Sequence, residues 1–570
     1  MNIIKLLKDL KKYIILIIIF SFIQVIAELL LPTIMSNVID KGVVLKDTLL
    51  VIKYSVLMII MSVISILSVI AVVYFTTKFS STFTYKLRKK LYNKILSLSK
   101  SDIDAFGAST LSTRCTNDVN HVTDMFSFGF RIIIFAPVMG IGAIIMAILT
   151  DASLSYVIIV SVLVLILAIA IIFILVYKKF ELIQNMMDKL TLKTREILYG
   201  QKVIRSFNKE KYFEEKFDKE NTENKKLNLY VNKIMFLCNP IILIVVNFAS
   251  IFVVFASIYN NADIYSVEVG KIMAFIQYMA MILMSFTIIL LILILIPRTF
   301  VSLKRIEEIL KTKSIIKDTG GKELKKIEKI EFKNVTYKYL NAEEETLKNI
   351  NFIFEKNKNY GINGSSGSGK STIINLILRH IEPTSGVIKI NDVDIKEYTI
   401  SSLREHVSYI PQKAVLFKGS IKENLIYGKN VEDKEIYSAL ETANILKFVQ
   451  EKTLDYEVES LGTNLSGGER QRLTIARGLL KKSDVYVFDD SFSAVDYITD
   501  KKIRENIRKR LKNKLQVTIT QRIGTIKNSD EIIVLDNGKI ESKGNYKYLS
   551  KHSKVFKEFI KTQEKGEENA

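Results

Sequence analysis

The stretch Tyr360-Gly-Ile-Asn-Gly364-Ser-Ser-Gly367-Ser-Gly369-Lys370-Ser371-Thr372 sets a run of glycines between a short apolar strand and a helical segment expected from Thr372 to Arg379. Glycine lets backbone N–H groups turn inward around an anion, and the start of a helix adds partial positive charge. Gly364, Ser365, Ser366, Gly367, Ser368 and Gly369 can therefore cradle phosphate oxygens, with Thr372 closing the turn. Lys370 suits the outer phosphates, and the Ser371 hydroxyl suits Mg²⁺. Further along, Asp484-Val-Tyr-Val-Phe-Asp489-Asp490 reads as a short apolar strand ending in two carboxylates. Asp489 fits the metal ion, and Asp490 stands where a base activating water would sit. Together the two segments predict an α/β domain that holds and splits a nucleoside triphosphate.

The chain is 570 residues long, more than one compact core organises, and its halves differ. From Met1 to about Pro297 long apolar runs follow one another, whereas from about Glu328 short apolar runs alternate with charged, glycine-containing segments. Six stretches, about 13–36, 50–77, 127–149, 153–177, 233–258 and 269–296, have the length that crossing roughly 30 Å of hydrocarbon requires. The first follows a Lys-bearing start as a secretory signal would. It carries Glu28 and Pro32 and is long enough to span, so a retained helix is expected.

An even number of spans puts both termini on one side, and Lys5, Lys8, Lys11 and Lys12 place that side in the cytoplasm. The segments 78–125 and 178–232 are basic, while the connections near 40–47, at Asp151 and near 260–268 hold few cations. Both basic segments lack the apolar residues for cores of their own, so the spans are expected to run on into the cytosol as helical arms. Gln24, Glu28, Asn247 and Gln277 are costly inside hydrocarbon; a substrate path and interhelical hydrogen bonds explain them equally well. The net charge of +22 arises largely from the lysines flanking the spans, and with no Trp and no basic patch interleaved with aromatics, nucleic acid is not an expected partner. Cys115 and Cys238 lack metal spacing and read as unpaired thiols.

The segment Leu465-Ser466-Gly467-Gly468-Glu469-Arg470-Gln471-Arg472 opens a helix with a second small-residue anion site and resembles the signature motif of the ATP-binding cassette (ABC) family. Other resemblances follow in the family's order. Tyr339 matches the aromatic that stacks on adenine, Gln412 in Tyr409-Ile-Pro-Gln412 the loop joining Mg²⁺ to the membrane domain, and Ser493-Ala-Val-Asp496 the loop crossing to a partner cassette. In the membrane half, Arg114-Cys-Thr-Asn117-Asp118-Val and Glu196 through Gly200 to Glu210 look like coupling-arm sequences of ABC exporters. The resemblance covers nearly the whole chain. It implies a membrane all-α six-helix ABC exporter transmembrane domain (1–312), a linker (313–327) and an α/β P-loop nucleotide-binding domain (328–564).

In this family two cassettes dimerise head to tail, so each ATP lies between one chain's phosphate loop and the other's signature motif, here Ser466, Gly467 and Gly468. The chain departs from the pattern in two places. Asp490 replaces a Glu and is one methylene shorter, and Gln521, in Thr520-Gln521-Arg522, replaces a His with a neutral amide. A retreat of about 1 Å in a positioned base costs around a hundredfold in rate. The expected protein is therefore one half of a heterodimeric exporter of amphipathic small molecules, of the multidrug type, in a bacterial plasma membrane. Asp490, Gln521 and Gln412 act at a slow ATP site, with Mg²⁺ on Ser371, Gln412 and Asp489. A homodimer exporting peptide or lipid, and a regulatory subunit, are the alternatives. Glu459 and Ser460 also depart, where exporters usually carry Gly and then Glu.

Overall fold

The computed structural model describes residues 7–260, 268–316, 318, 320–339 and 342–568. Lys5, nearly all of the outer connection near 260–268, and two positions of the 313–327 segment lie outside the described residues. The described chain divides into two compact units, one of residues 1–96 and 109–312, the other of residues 97–108 and 313–570.

The described residues of the first unit form helices joined by short turns, because inside hydrocarbon every backbone N–H and C=O must be satisfied within its own segment. Its helices are α1 (Lys11–Asn37), α2 (Thr48–Leu96), α4 (Ala108–Thr150), α5 (Ser155–Ser206), α6 (Glu210–Asn260) and α7 (Val269–Lys311), while α3 (Lys100–Phe106) belongs to the second unit. Among the described residues, six helices are long and apolar enough to cross a membrane, as the hydropathy predicts. Ile59, Ile66, Leu67 and Ile70 lie exposed on α2, an apolar surface that hydrocarbon rather than water would cover. The 49 residues of α2 and 52 of α5 run to about 75 Å at 1.5 Å per residue, more than twice the hydrocarbon thickness. The spans thus continue as arms, and a Lys193–Glu220 ion pair ties α5 to α6 in that extension. Two π-turns inside α4, Arg114–Asp118 and Met125–Gly129, were not foreseen in the sequence.

The intramembrane polar residues divide into two groups. Glu28 Oε1 accepts from Gln24 Nε2 at 3.0 Å within α1 and from Ser65 Oγ at 3.1 Å across to α2, an interhelical hydrogen bond. Asn247 and Gln277 are exposed. A polar contact that the sequence did not single out joins α7 to α1: buried Tyr278 donates to the Leu29 carbonyl at 3.0 Å and shares a 2.5 Å hydrogen bond with Thr33.

In the second unit a six-stranded sheet runs in the order β12-β11-β3-β10-β9-β6, all parallel except the edge strand β12. Its strands are β3 (Asn359–Gly364), β6 (Val407–Ile410), β9 (Val485–Asp489), β10 (Leu515–Ile519), β11 (Glu531–Asp536) and β12 (Lys539–Gly544). Strands buried on both faces read as continuous apolar runs, which is why β9 is recognisable in the sequence. A second, antiparallel sheet contains β1 (Lys329–Tyr337), β2 (Leu347–Glu355), β4 (Ser385–Ile390) and β5 (Val393–Asp394) in the order β2-β1-β4-β5, and the short strands β7 (Gly419–Ser420) and β8 (Glu457–Val458) pair with each other. Phe332, Phe354, Tyr360, Ile362 and Ile374 share one core between the sheets and the helix α8 (Lys370–Ile377). A separate core around Ile436, Leu440, Leu473 and Phe488 gathers the remaining helices, including α9 (Gly467–Leu480).

His380, just beyond α8, accepts from Arg404 Nη2 at 3.1 Å through Nδ1. Burial, then the Arg404 and Lys100 charges, push its pKa down to about 4, so the folded ring is neutral and accepts from Arg404. The sign follows directly: the unfolded ring takes up a proton near pH 6.5, so stability is full above that pH and is lost as pH falls toward about 4. The loss is expected to be on the order of 2 kcal/mol, discounted for the ring's partial contact with water. Thermal unfolding of the wild type and of H380Q at pH 7 and pH 5 checks this; the wild type should lose more stability between the two.

Candidate nucleotide site

The glycine run forms where β3 reaches the top of the parallel sheet. Gly364 is there because a Cβ would meet the Leu535 carbonyl at 2.4 Å, so no other side chain fits between β3 and β11. Gly369 caps α8 at φ +98°, a backbone region that side-chain-bearing residues rarely adopt. Between them the loop turns back on itself, and Lys370 Nζ donates to the carbonyls of Gly364 at 2.9 Å and Ser365 at 2.6 Å. Burial lowers the Lys370 pKa, against the opposing pull of Asp490 and Asp489.

These residues open on a cavity of about 340 Å³. Its walls include Tyr339, Ser366, Gly367, Gly369, Lys370, Ser371 and Thr372 from the loop side, and Gln412, Asp489, Asp490 and Gln521 from the far side. Gly364, Ser365 and Ser368 lie behind that wall; Ser368 is buried, and its Oγ stands 3.5 Å from Lys370 Nζ. Tyr339 stands edge-on to Tyr337 at 4.8 Å and reaches Thr372 Oγ1 with its hydroxyl at 3.3 Å.

Asp489 ends β9 with a buried carboxylate that accepts from Tyr409 at 3.1 Å. Burial raises its pKa and the Asp490 charge adds to this, while the Tyr409 hydrogen bond and Lys370 oppose it. Burial and the Asp489 charge push the Tyr409 phenol up as well, so it stays a donor. Asp490 follows at φ 42°, its two oxygens taken by Gln412 Nε2 and Thr520 Oγ1, each at 3.2 Å. Gln521 is exposed, and its carbonyl is held by Asn363 Nδ2 at 3.2 Å. Ser371, Gln412 and Asp489 thus share one cavity and offer a hydroxyl, an amide oxygen and a carboxylate, a hard-oxygen set that fits Mg²⁺.

Ser466, Gly467 and Gly468 do not line this cavity. Ser466 caps α9 in a reciprocal pair, Ser466 N to Glu469 Oε2 at 2.7 Å and Glu469 N to Ser466 Oγ at 3.3 Å. Gly467 faces open space, so the first turn of a 14-residue helix is presented outward. Glu459, at the departure before this motif, accepts from Thr463 and leaves Ser460 beside a tight turn at Leu461, φ 60°. The sequence reading missed Thr346, Tyr409 and Thr520 as parts of the site; the last two flank residues it did name.

Residues 14–286 match the model for the ABC transporter transmembrane region, and residues 347–493 the ABC transporter model. An uncharacterized ABC transporter ATP-binding protein of Mycobacterium tuberculosis is 31% identical over 554 residues, 95% of this chain and 94% of that protein. The chain belongs to the ABC transporter family. It is an ABC exporter half-transporter, with membrane and ATP-binding regions in one chain, and its ATPase activity is coupled to transport. An ATP-dependent lipid A-core flippase of Photorhabdus laumondii is 28% identical over 487 residues, 84% of this transporter and 83% of the flippase. The solved structure of a bacterial Atm1-family ABC exporter with ATP bound shares the fold, with a TM-score of 0.80 at 21% identity over 98% of each chain. The transporter's cassette region binds ATP, and such exporters dimerise in a lipid bilayer.

Proposed function

We propose that this transporter is one half of a heterodimer in a bacterial plasma membrane, with cytoplasmic termini, and that it exports hydrophobic or amphipathic small molecules. The membrane region takes residues 1–312, the linker 313–327 and the cassette 328–564. At its own phosphate loop Gly364 to Thr372 hold the ATP phosphates, Tyr339 stacks on adenine, and Mg²⁺ would be held by Ser371, Gln412 and Asp489, where it would offset phosphate charge. Asp490 positions water as a weak base, aided by Gln412 and Gln521. Ser466, Gly467 and Gly468 complete the faster site on the neighbouring chain, which supplies the missing Glu and His.

The observation carrying this reading is the engagement of both Asp490 oxygens by groups of its own chain, Gln412 and Thr520, on a side chain already one methylene short. Such a carboxylate is held back toward the sheet and takes a proton from water slowly. The purified chain alone should therefore turn over little ATP, and inverted vesicles carrying the pair should accumulate a fluorescent drug only with ATP. Robust turnover by the lone chain, abolished by D490N, would overturn the heterodimer. The likeness to a lipid A-core flippase favours a second reading, a homodimer moving lipid, which predicts ATP-dependent flipping of a labelled lipid by the lone chain.

A further inference from the structure

The C-terminal helix α12 of the cassette (Lys554–Glu568) lies far along the chain from the phosphate loop, after α10 (Tyr497–Arg510) and α11 (Ile523–Ile526). It carries Phe556, Phe559, Ile560 and Gln563 at helical spacing on one face. The three apolar members pack with Ile523 and Ile526 of α11 and with Ile532 and Val534 of β11. Gln563, the last of the stripe, reaches the loop before α11 with both ends of its amide. Its Nε2 donates to the Gln521 carbonyl at 2.7 Å, and its Oε1 accepts from the Ile523 N–H at 2.9 Å. The amide thus brackets Arg522 from both sides.

What Arg522 and its neighbour touch gives the bracket its meaning. Arg522 N–H donates to Thr520 Oγ1 at 3.0 Å, and Thr520 Oγ1 donates to Asp490 Oδ1 at 3.2 Å. The Arg522 guanidinium donates to the Ser493 carbonyl at 3.2 Å, on the loop after Asp490. One loop of three residues therefore connects the acid at the ATP cavity with the Ser493–Asp496 loop, and Gln563 fixes its backbone from outside. An amide making two good hydrogen bonds to one short loop holds that loop to a single conformation better than apolar contacts do.

We infer that Gln563 is a positioning residue for ATP hydrolysis: by donating to the Gln521 carbonyl it holds Thr520, Gln521 and Arg522 in the register that sets Asp490 and Ser493. Gln563 does not line the cavity, so its influence on the site runs through this loop. The inference rests on the roles proposed above for Asp490 and Gln521.

The test uses the full-length transporter, assembled in lipid nanodiscs, photolabelled with azido-ATP carrying the label on either the α- or the γ-phosphate and followed on this chain's own gel band. The α-label reports binding, and loss of the γ-label reports hydrolysis at this chain's site. In Q563A the γ-label should leave about fivefold to tenfold more slowly, with α-labelling and unfolding temperature unchanged. Q563E keeps an acceptor for Ile523 N–H and loses the donor to Gln521, so it should be as slow as Q563A. Wild-type γ-loss in either variant, or slowing that only tracks a fall in α-labelling or unfolding temperature, would show that Gln563 merely docks the helix. D490N in the same assay separates the two ideas: if it leaves γ-loss unchanged, the proposed role of Asp490 fails whatever Q563A does.

Discussion

K370A is expected to lower ATP labelling of this chain about a hundredfold to a thousandfold while leaving the cassette folded. The ammonium sits between two backbone carbonyls, 2.9 and 2.6 Å away, at the mouth of the loop. Burial lowers its pKa and the Asp490 and Asp489 charges raise it, so its natural counter-charge is incomplete without phosphate. Each charge-assisted contact to a phosphate oxygen contributes roughly 1.5–3 kcal/mol, and two of them make up the expected loss. Removing the side chain leaves two carbonyls beside a solvent-filled cavity, which water satisfies, so the unfolding temperature should move by only a few degrees. Photolabelling with azido-ATP and a melting curve on the same sample check both halves; undiminished labelling would remove Lys370 from the site.

D490E is expected to speed hydrolysis at the same site by about tenfold to a hundredfold, one of the few substitutions that should improve a function here. The extra methylene carries the carboxylate about 1 Å further from β9, away from Thr520 and into the cavity where water would attack. Position 490 is at φ 42°, which Asp tolerates better than Glu, so the gain in rate should come with a stability loss of up to about 1 kcal/mol. Adding Q521H should raise the rate further, because an imidazole N–H can carry positive charge beside the outer phosphate and an amide cannot. Phosphate release under single-turnover conditions reads the effect, and a D490E rate equal to wild type would show that reach does not limit this site.

The spans and the phosphate loop are legible in the sequence because their physics is local. Six apolar runs need only length, and Gly364 to Thr372 need only a strand before and a helix after them. Asp489 and Asp490 end a buried strand, a common pattern that pointed to a nucleotide site only because a phosphate loop stands in the same chain. The missed members of the site act across the fold. Tyr409 meets Asp489 because β6 and β9 are neighbours in the sheet, and Thr520 meets Asp490 because β9 and β10 are, which no spacing along the chain reveals. Gln563 ends an amphipathic stripe, where a polar residue ordinarily means solvent; only the fold of α12 onto the loop of Thr520, Gln521 and Arg522 shows that it faces backbone. The π-turns of α4 have no residue signal of their own.

The central claim is that ATP is held jointly by this chain's phosphate loop and a neighbour's signature helix, and that this chain's Ser466 serves the neighbour in return. With Cys115 and Cys238 replaced, a cysteine at Ser466 and another at the neighbour's phosphate-loop position equivalent to Ser366 should form a disulfide when a copper–phenanthroline oxidant is added. That bond requires Cα atoms within about 7 Å. ATP with Mg²⁺ is predicted to drive this interchain crosslink to high yield when the neighbour's catalytic acid is replaced by its amide, which stops hydrolysis at the site being bridged. A yield that nucleotide leaves unchanged would contradict the account.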